Sequence, residues 1–171
     1  MKKPFLIVLD GPMGSGKTTI SEMLHKKLKY SALLSLDRFK RLVSGFKLDS
    51  MLHLELASKI GRAMIIEYLN NNVGVIVEKA FTREVYLKQF LKGLNRRAEV
   101  FIYQLHSPLE LRIKRIKDRP LPYDTNKKPS LAKIKRNSKH FDEFRYKKAR
   151  EFDTSKLSAT KIVNEILKEI K

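Results

Sequence analysis

The stretch Gly11-Pro12-Met13-Gly14-Ser15-Gly16-Lys17-Thr18-Thr19 carries the spacing G-x-x-x-x-G-K-[ST], with Gly11, Gly16, Lys17 and Thr18 at its fixed positions. Glycines let successive backbone N–H groups converge on one point. A helix beginning at Lys17 adds the positive end of its dipole. A lysine placed there meets β- and γ-phosphates as a point charge, and the Thr18 hydroxyl suits a Mg²⁺ bridging them. The expected ligand is a nucleoside triphosphate with Mg²⁺, and the loop alone leaves ATP and GTP both open. The competing account is a glycine-rich turn that binds nothing. The flanks argue against it, because FLIVLD (5–10) reads as a buried strand and Ile20, Met23, Leu24 and Leu28 recur at helical spacing.

Two further groups bear on what is done with a triphosphate. SLDRFKR (35–41) follows a second apolar run. Asp37 there can accept a hydrogen bond from an attacking hydroxyl and act as general base, with Arg38, Lys40 and Arg41 beside it for an anionic acceptor. The plainer alternative is an Asp that caps the next turn. In LRIKRIKDRP, Arg112, Arg115 and Arg119 stand three and four apart on one helical face, placed to neutralise charge on a transferring phosphoryl group, or else to face water. A GTPase would show N-K-x-D, and TNKKPS (125–130) lacks the Asp. A mechanical ATPase would close a strand with an Asp-Glu pair, whereas here Glu78 is followed by Lys79. The histidines at 25, 53, 106 and 140 have no metal-ligand spacing.

These groups need a scaffold, and the hydrophobic pattern supplies one. Strands are predicted at 5–10, 31–37, 73–81 and 98–106, with helices over 17–30, 51–70, from Thr82 to Gly93 and from Pro108 to Pro120. The face of the 51–70 helix is marked by Leu56, Ile60, Ala63 and Met64. Ser107-Pro108 is read as helix cap and first helical residue. A loop spans 120–130, and a helical pattern resumes from Ser130. REFDTS holds a short fifth strand or a connection. Ile162, Val163, Ile166, Leu167 and Ile170 form one face of a closing helix capped by Ser158. Alternating strands and helices predict a single α/β domain over 1–171 with a parallel sheet covered on both faces.

Charge is distributed unevenly. The formal charge is +19, and fifteen Lys or Arg against four acids between Arg112 and Arg150 carry eleven of it. Such a field favours anionic partners, whether nucleotides, nucleic acid or an acidic membrane surface, or else is only a Lys-rich surface; the concentration over 112–150 favours a nucleotide or nucleic acid. Phe141, Phe144 and Tyr146, interleaved with these bases, either stack on nucleobases or pack the segment onto the domain. The chain lacks cysteine and any run of transmembrane length, so the expected location is the cytoplasm, with no membrane partner. The oligomeric state cannot be read from the sequence.

Taken together, the phosphate loop, SLDRF, VIVEKAF, SPLELRIKRIKDR and EFDTSKLSATKIVNEIL resemble the P-loop kinases of the nucleoside- and adenylate-kinase group. The likeness is to the branch holding chloramphenicol phosphotransferase, zeta toxins and polynucleotide 5′-kinase. The resemblance implies a five-stranded parallel sheet in the order 2-3-1-4-5 and a helical lid over about 109–130. It also implies a hydroxyl-activating Asp37, lid arginines at Arg115 and Arg119, and an adenine-side element at Asp153, Thr154 and Ser155. Glu78 stands where the group often has Asp, as a contact to the acceptor or to the metal's surroundings. The implied reaction is γ-phosphoryl transfer from ATP to a hydroxyl of a nucleoside, nucleotide or nucleic acid. The alternatives are a small-metabolite kinase and a nucleotide-gated RNA-binding module that transfers nothing.

Overall fold

Five strands form one parallel sheet in the order β2-β3-β1-β4-β5, which is the expected order. The computed structural model describes residues 3–45, 51–81, 83–120, 128–142 and 145–170. The strands are β1 (Phe5–Asp10), β2 (Ser31–Ser35), β3 (Gly74–Glu78), β4 (Glu99–His106) and β5 (Arg150–Asp153). The helices are α1 (Lys17–Lys27), α2 (Leu36–Phe39), α3 (Met51–Asn70), α4 (Glu84–Leu91), α5 (Leu109–Asp118), α6 (Leu131–Asp142) and α7 (Ala159–Glu169). Among the described residues no helix is long and apolar enough to cross a membrane.

The continuous apolar run of β1 follows from burial on both faces. Leu6 and Val8 face α3 and α4, packing with Val75, Val77, Ile65, Leu69, Leu87 and Phe90. Ile7 and Leu9 face α1 and α7, packing with Ile20, Leu24, Ile162, Val163 and Ile166. Each such side chain, withdrawn fully from water, contributes about 1.5–3 kcal/mol before chain entropy is subtracted. The α7 cap is as expected, with the Ser158 hydroxyl accepting from the Lys161 amide at 3.2 Å.

Several expectations are corrected. The second strand ends at Ser35, and Leu36–Phe39 turn into α2, so Asp37 sits on a short helix rather than in the strand. The buried row of α3 is Ala57, Gly61, Ile65 and Leu69, while Leu56, Ile60 and Ala63 are exposed. Gly61 explains the rotation. A Cβ there would stand 2.4 Å from Leu36 Cδ2 and 3.1 Å from the Phe39 ring, so the glycine lets α2 lie against α3. Helix α5 begins at Leu109 with Pro108 in the cap position and no side-chain cap. The Ser107 carbonyl instead receives the Arg112 guanidinium. Phe141 is buried and Tyr146 packs partly buried against the core, so for these two the packing account holds over nucleobase stacking. Phe144 and residues 121–127 of the expected lid lie outside the described residues.

The loop after β1 is fixed by Asp10, which is fully buried. Its carboxylate accepts from the Gly11 amide at 2.7 Å, the Phe81 amide at 2.8 Å and Gln104 Nε2 at 2.9 Å. One side chain thus ties β1 to the segment after β3 and to β4. Gln104 extends the tie by accepting from the Tyr146 amide at 2.8 Å. Burial pushes the Asp10 pKa above its usual value, and the three donors and Lys17 pull the other way. Because every partner is a donor, Asp10→Asn turns an amide NH₂ against one of them. The variant is expected to lose about 1–3 kcal/mol of stability in urea unfolding. Unchanged stability would contradict the role of Asp10 as an acceptor hub.

Candidate active site

The loop between β1 and α1 curls around the Lys17 side chain. Lys17 Nζ donates to the carbonyls of Gly11 and Pro12 at 2.7 and 2.9 Å. Gly11, Gly14 and Gly16 all have positive φ, at 145°, 82° and 97°. At Gly14 the need is also steric, because a Cβ would stand 2.7 Å from the Arg112 carbonyl oxygen of α5. The loop therefore combines left-handed turns with close backbone approach, which only glycine supplies.

The loop amides divide into two groups. Gly11 N–H is taken by Asp10, Met13 N–H by Asn137 Oδ1 of α6 at 2.9 Å, and Ser15 N–H by the Pro12 carbonyl at 3.2 Å. Among the described residues, the amides of Gly14, Gly16, Lys17, Thr18 and Thr19 donate to no protein acceptor. Open donors on successive residues at a helix N-terminus make an anion cradle. The Thr18 hydroxyl is likewise without a partner among the described residues, and the Thr18 carbonyl accepts from Ser21 Oγ at 2.9 Å.

Acidic groups surround the lysine. Burial pushes the Lys17 ammonium below the usual lysine range, opposed by the carboxylates of Asp10, Asp37 and Glu78, while Arg119 adds to the depression. Glu78 ends β3, beside Leu9 of β1 and Ser35 of β2. It is buried and accepts from Ser21 Oγ at 3.2 Å. Ser21 thereby joins Glu78 to the first turn of α1. Asp37 and Arg38 are exposed, Lys40 and Arg41 are half-buried, and all four lie at the carboxyl edge of the sheet.

Arg112 and Arg115 lie on α5, but Arg119 follows its end in extended conformation, so the single helical face expected for the three is corrected and each has its own surroundings. Arg112 is buried, donating from Nε to the Ser107 carbonyl at 2.9 Å and from Nη2 to Ser138 Oγ of α6 at 2.6 Å. It is an internal strut and so leaves the basic surface expected over 112–150. Arg115 donates to Thr154 Oγ1 at 2.8 Å and to the Thr154 carbonyl at 2.7 Å. Its guanidinium thus engages the loop after β5. Arg119 is exposed and within electrostatic reach of Lys17.

A cleft of about 530 Å³ opens beside the loop, lined by Gly16, Thr19, Arg115, Arg119, Thr154 and the start of α7. Thr154 therefore borders it. Asp153 instead closes a local turn, accepting from Ser155 N at 2.9 Å and Ser155 Oγ at 2.5 Å, bonds that lower its pKa. Asn137, Ser21, Asp10 and Lys79 went unnoticed as site neighbours in the sequence. Lys79 alone had a local signal, since it directly follows Glu78 at a strand end. Asn137 stands 124 residues from Met13, a separation that no local pattern bridges.

Comparison with known proteins bears on the family and the fold. Residues 6–144 match the family model AAA_33, described as an AAA domain. The chain is similar to the cytidine diphosphoramidate kinase of Campylobacter jejuni, 33% identical over 78 residues. That stretch spans 43% of this chain and 45% of the relative, less than half the length of either. Among solved structures, a putative kinase from Chloroflexus aurantiacus superposes with a TM-score of 0.77 at 19% identity, over 99% of this chain and 100% of that one. A chain of the Pnkp1/Rnl/Hen1 RNA repair complex superposes with a TM-score of 0.73 at 22% identity, over 85% of this chain and 48% of that one. The sheet order, the phosphate loop and these matches agree: the protein has the P-loop kinase fold and belongs to the AAA_33 family of AAA domains.

Proposed function

We propose that this protein is an ATP-dependent kinase that transfers the γ-phosphoryl group to a hydroxyl of a nucleoside, nucleotide or nucleic-acid acceptor. The observation that carries this reading is the row of open amides at Gly14, Gly16, Lys17, Thr18 and Thr19, with Asp37 within electrostatic reach of Lys17. A triphosphate grip alone would support binding. A carboxylate at the sheet edge facing that grip supports transfer. The name of the Campylobacter relative, a kinase acting on a cytidine derivative, favours a nucleotide-like acceptor.

In this mechanism the open amides and Lys17 hold the β- and γ-phosphates, releasing Lys17 Nζ from the carbonyls of Gly11 and Pro12. The rest of the loop, from Pro12 to Ser15, shapes the cradle, and Thr154 borders the nucleoside cleft with Asp153 supporting its loop. Asp37 accepts the proton of the acceptor hydroxyl as that oxygen bonds to the γ-phosphorus and the bond to the β-phosphate oxygen breaks. Arg119 neutralises charge on the moving group, and Arg115 holds the cleft wall against Thr154. Arg38 and Arg41 hold the acceptor, with Glu78 at the same edge.

The residues present fit a Mg²⁺ ion. The Thr18 hydroxyl, without a partner among the described residues, and the Glu78 carboxylate, near the Thr18 carbonyl through Ser21, are hard oxygen donors. When bound, Mg²⁺ would supply charge neutralisation to the phosphates, with Thr18 to hold it and Glu78 in its surroundings.

The test is transfer of labelled γ-phosphate to a panel of nucleosides, nucleotides, 5′-hydroxyl RNA and DNA, and tRNA. Asp37→Ala is expected to keep ATP affinity and lose about 10²–10⁴-fold in transfer. Transfer at the wild-type rate would remove Asp37 from the mechanism. Lys17→Ala is expected to weaken ATP binding tenfold or more, about 1.4 kcal/mol, by equilibrium titration. Unaltered binding would overturn the phosphate-loop assignment itself.

A further inference from the structure

Lys79 lies one residue beyond Glu78, its backbone continuing the β3–β1 ladder through a bond from its amide to the Leu9 carbonyl at 3.2 Å. Its side chain is half-buried. Nζ donates to Ser58 Oγ of α3 at 3.3 Å and stands 5.4 Å from the centroid of the Phe81 ring. Among the described residues that hydroxyl is its one hydrogen-bond partner, and it forms no ion pair. An ammonium has three donors, and taking it out of water beside a neutral hydroxyl and an aromatic ring is costly. Burial pushes its pKa below the usual lysine range, opposed by Asp37, while Lys40 adds to the depression.

Ser35 of β2 pairs with Glu78 of β3, so Asp37 and Lys79 follow neighbouring strand ends at the same edge of the sheet, and the Asp37 carboxylate acts electrostatically on both Lys17 and Lys79. A hydroxyl held at Asp37 therefore lies at the edge that Lys79 shares. An uncharged acceptor leaves Lys79 as unmatched as it is now. A dianionic group on the acceptor supplies the missing charge, and the positive potential of Lys40 adds to the match. A compact ammonium suits phosphate as a point charge.

We propose that Lys79 is a specificity-determining residue that selects small acceptors carrying a phosphate group near the hydroxyl to be phosphorylated. The proposal rests on the kinase reading above. It differs from a purely structural role, in which Lys79 only ties the end of β3 to α3 through Ser58.

The experiment saturates wild type, Lys79→Met and Lys79→Arg with the non-hydrolysable analogue AMP-PNP and Mg²⁺, which fills the phosphate loop. Each is then titrated calorimetrically with two matched pairs, cytidine against cytidine 5′-monophosphate and glucose against glucose 6-phosphate. The expected result is that one phosphorylated member binds wild type about tenfold or more tighter than its uncharged partner. That advantage disappears in Lys79→Met and returns in Lys79→Arg, with AMP-PNP affinity equal in all three. The pair that responds identifies nucleotide or sugar phosphate as the source. Equal binding within both pairs, including no binding by any member, would overturn the proposal, as would an advantage that survives Lys79→Met. Selective binding without transfer from ATP would leave the anion site standing and count against the kinase reading. Failure of AMP-PNP to bind wild type would overturn both.

Discussion

The site depends on one cation, the Lys17 ammonium at the mouth of the β1–α1 loop. It is removed from much of its water, closes the loop onto the carbonyls of Gly11 and Pro12, and has carboxylates from three strand ends around it. A desolvated charge keeps its proton only where opposite charge is arranged nearby. Asp10 ends β1, Asp37 follows β2 and Glu78 ends β3, so the parallel sheet delivers all three acids to one edge. The topology and the electrostatics are therefore one constraint seen twice.

That constraint also explains why the interior tolerates so much polarity around the loop. Asp10 and Arg112 are almost wholly buried, yet each has partners from separate segments. Asp10 sets where the loop begins. Arg112 fixes α5 against α6, and the close approach of Gly14 to the Arg112 backbone sets how near α5 comes to the loop. Asn137 takes up the Met13 amide, so α6 leaves the open amides of the cradle as the loop's free donors among the described residues. Such preorganisation matters because donors already aimed at a ligand need not be reoriented when it arrives.

Much of this was legible in the sequence, for reasons of period. The β1 run, the Gly-Lys-Thr spacing and the α7 face are local patterns, and each emerged at its expected place. The α3 face was misread because Leu56 and Ile60 are apolar and correctly spaced for a helix face. The buried row is set instead by a glycine whose missing side chain makes room for α2, and no hydrophobic period records a missing side chain. Arg112 and Arg115 were legible as neighbours on one helix but not in their separate engagements, because Ser138 and Thr154 come from segments 26 and 39 residues away. Lys79 was visible at a strand end, but its surroundings were not, because Ser58 belongs to another element.

The phosphate cradle depends most directly on the division of the loop amides into taken and open. A ¹H–¹⁵N correlation spectrum of the protein, recorded as ATP and Mg²⁺ are added, reads each amide separately. The amides of Gly14, Gly16, Lys17, Thr18 and Thr19 should shift strongly as they gain phosphate acceptors. That of Gly11, already held by Asp10 and outside the peptide groups that Lys17 releases, should move little. If the five open amides stay in place at saturating ATP, the loop is not a phosphate cradle and the kinase reading falls with it.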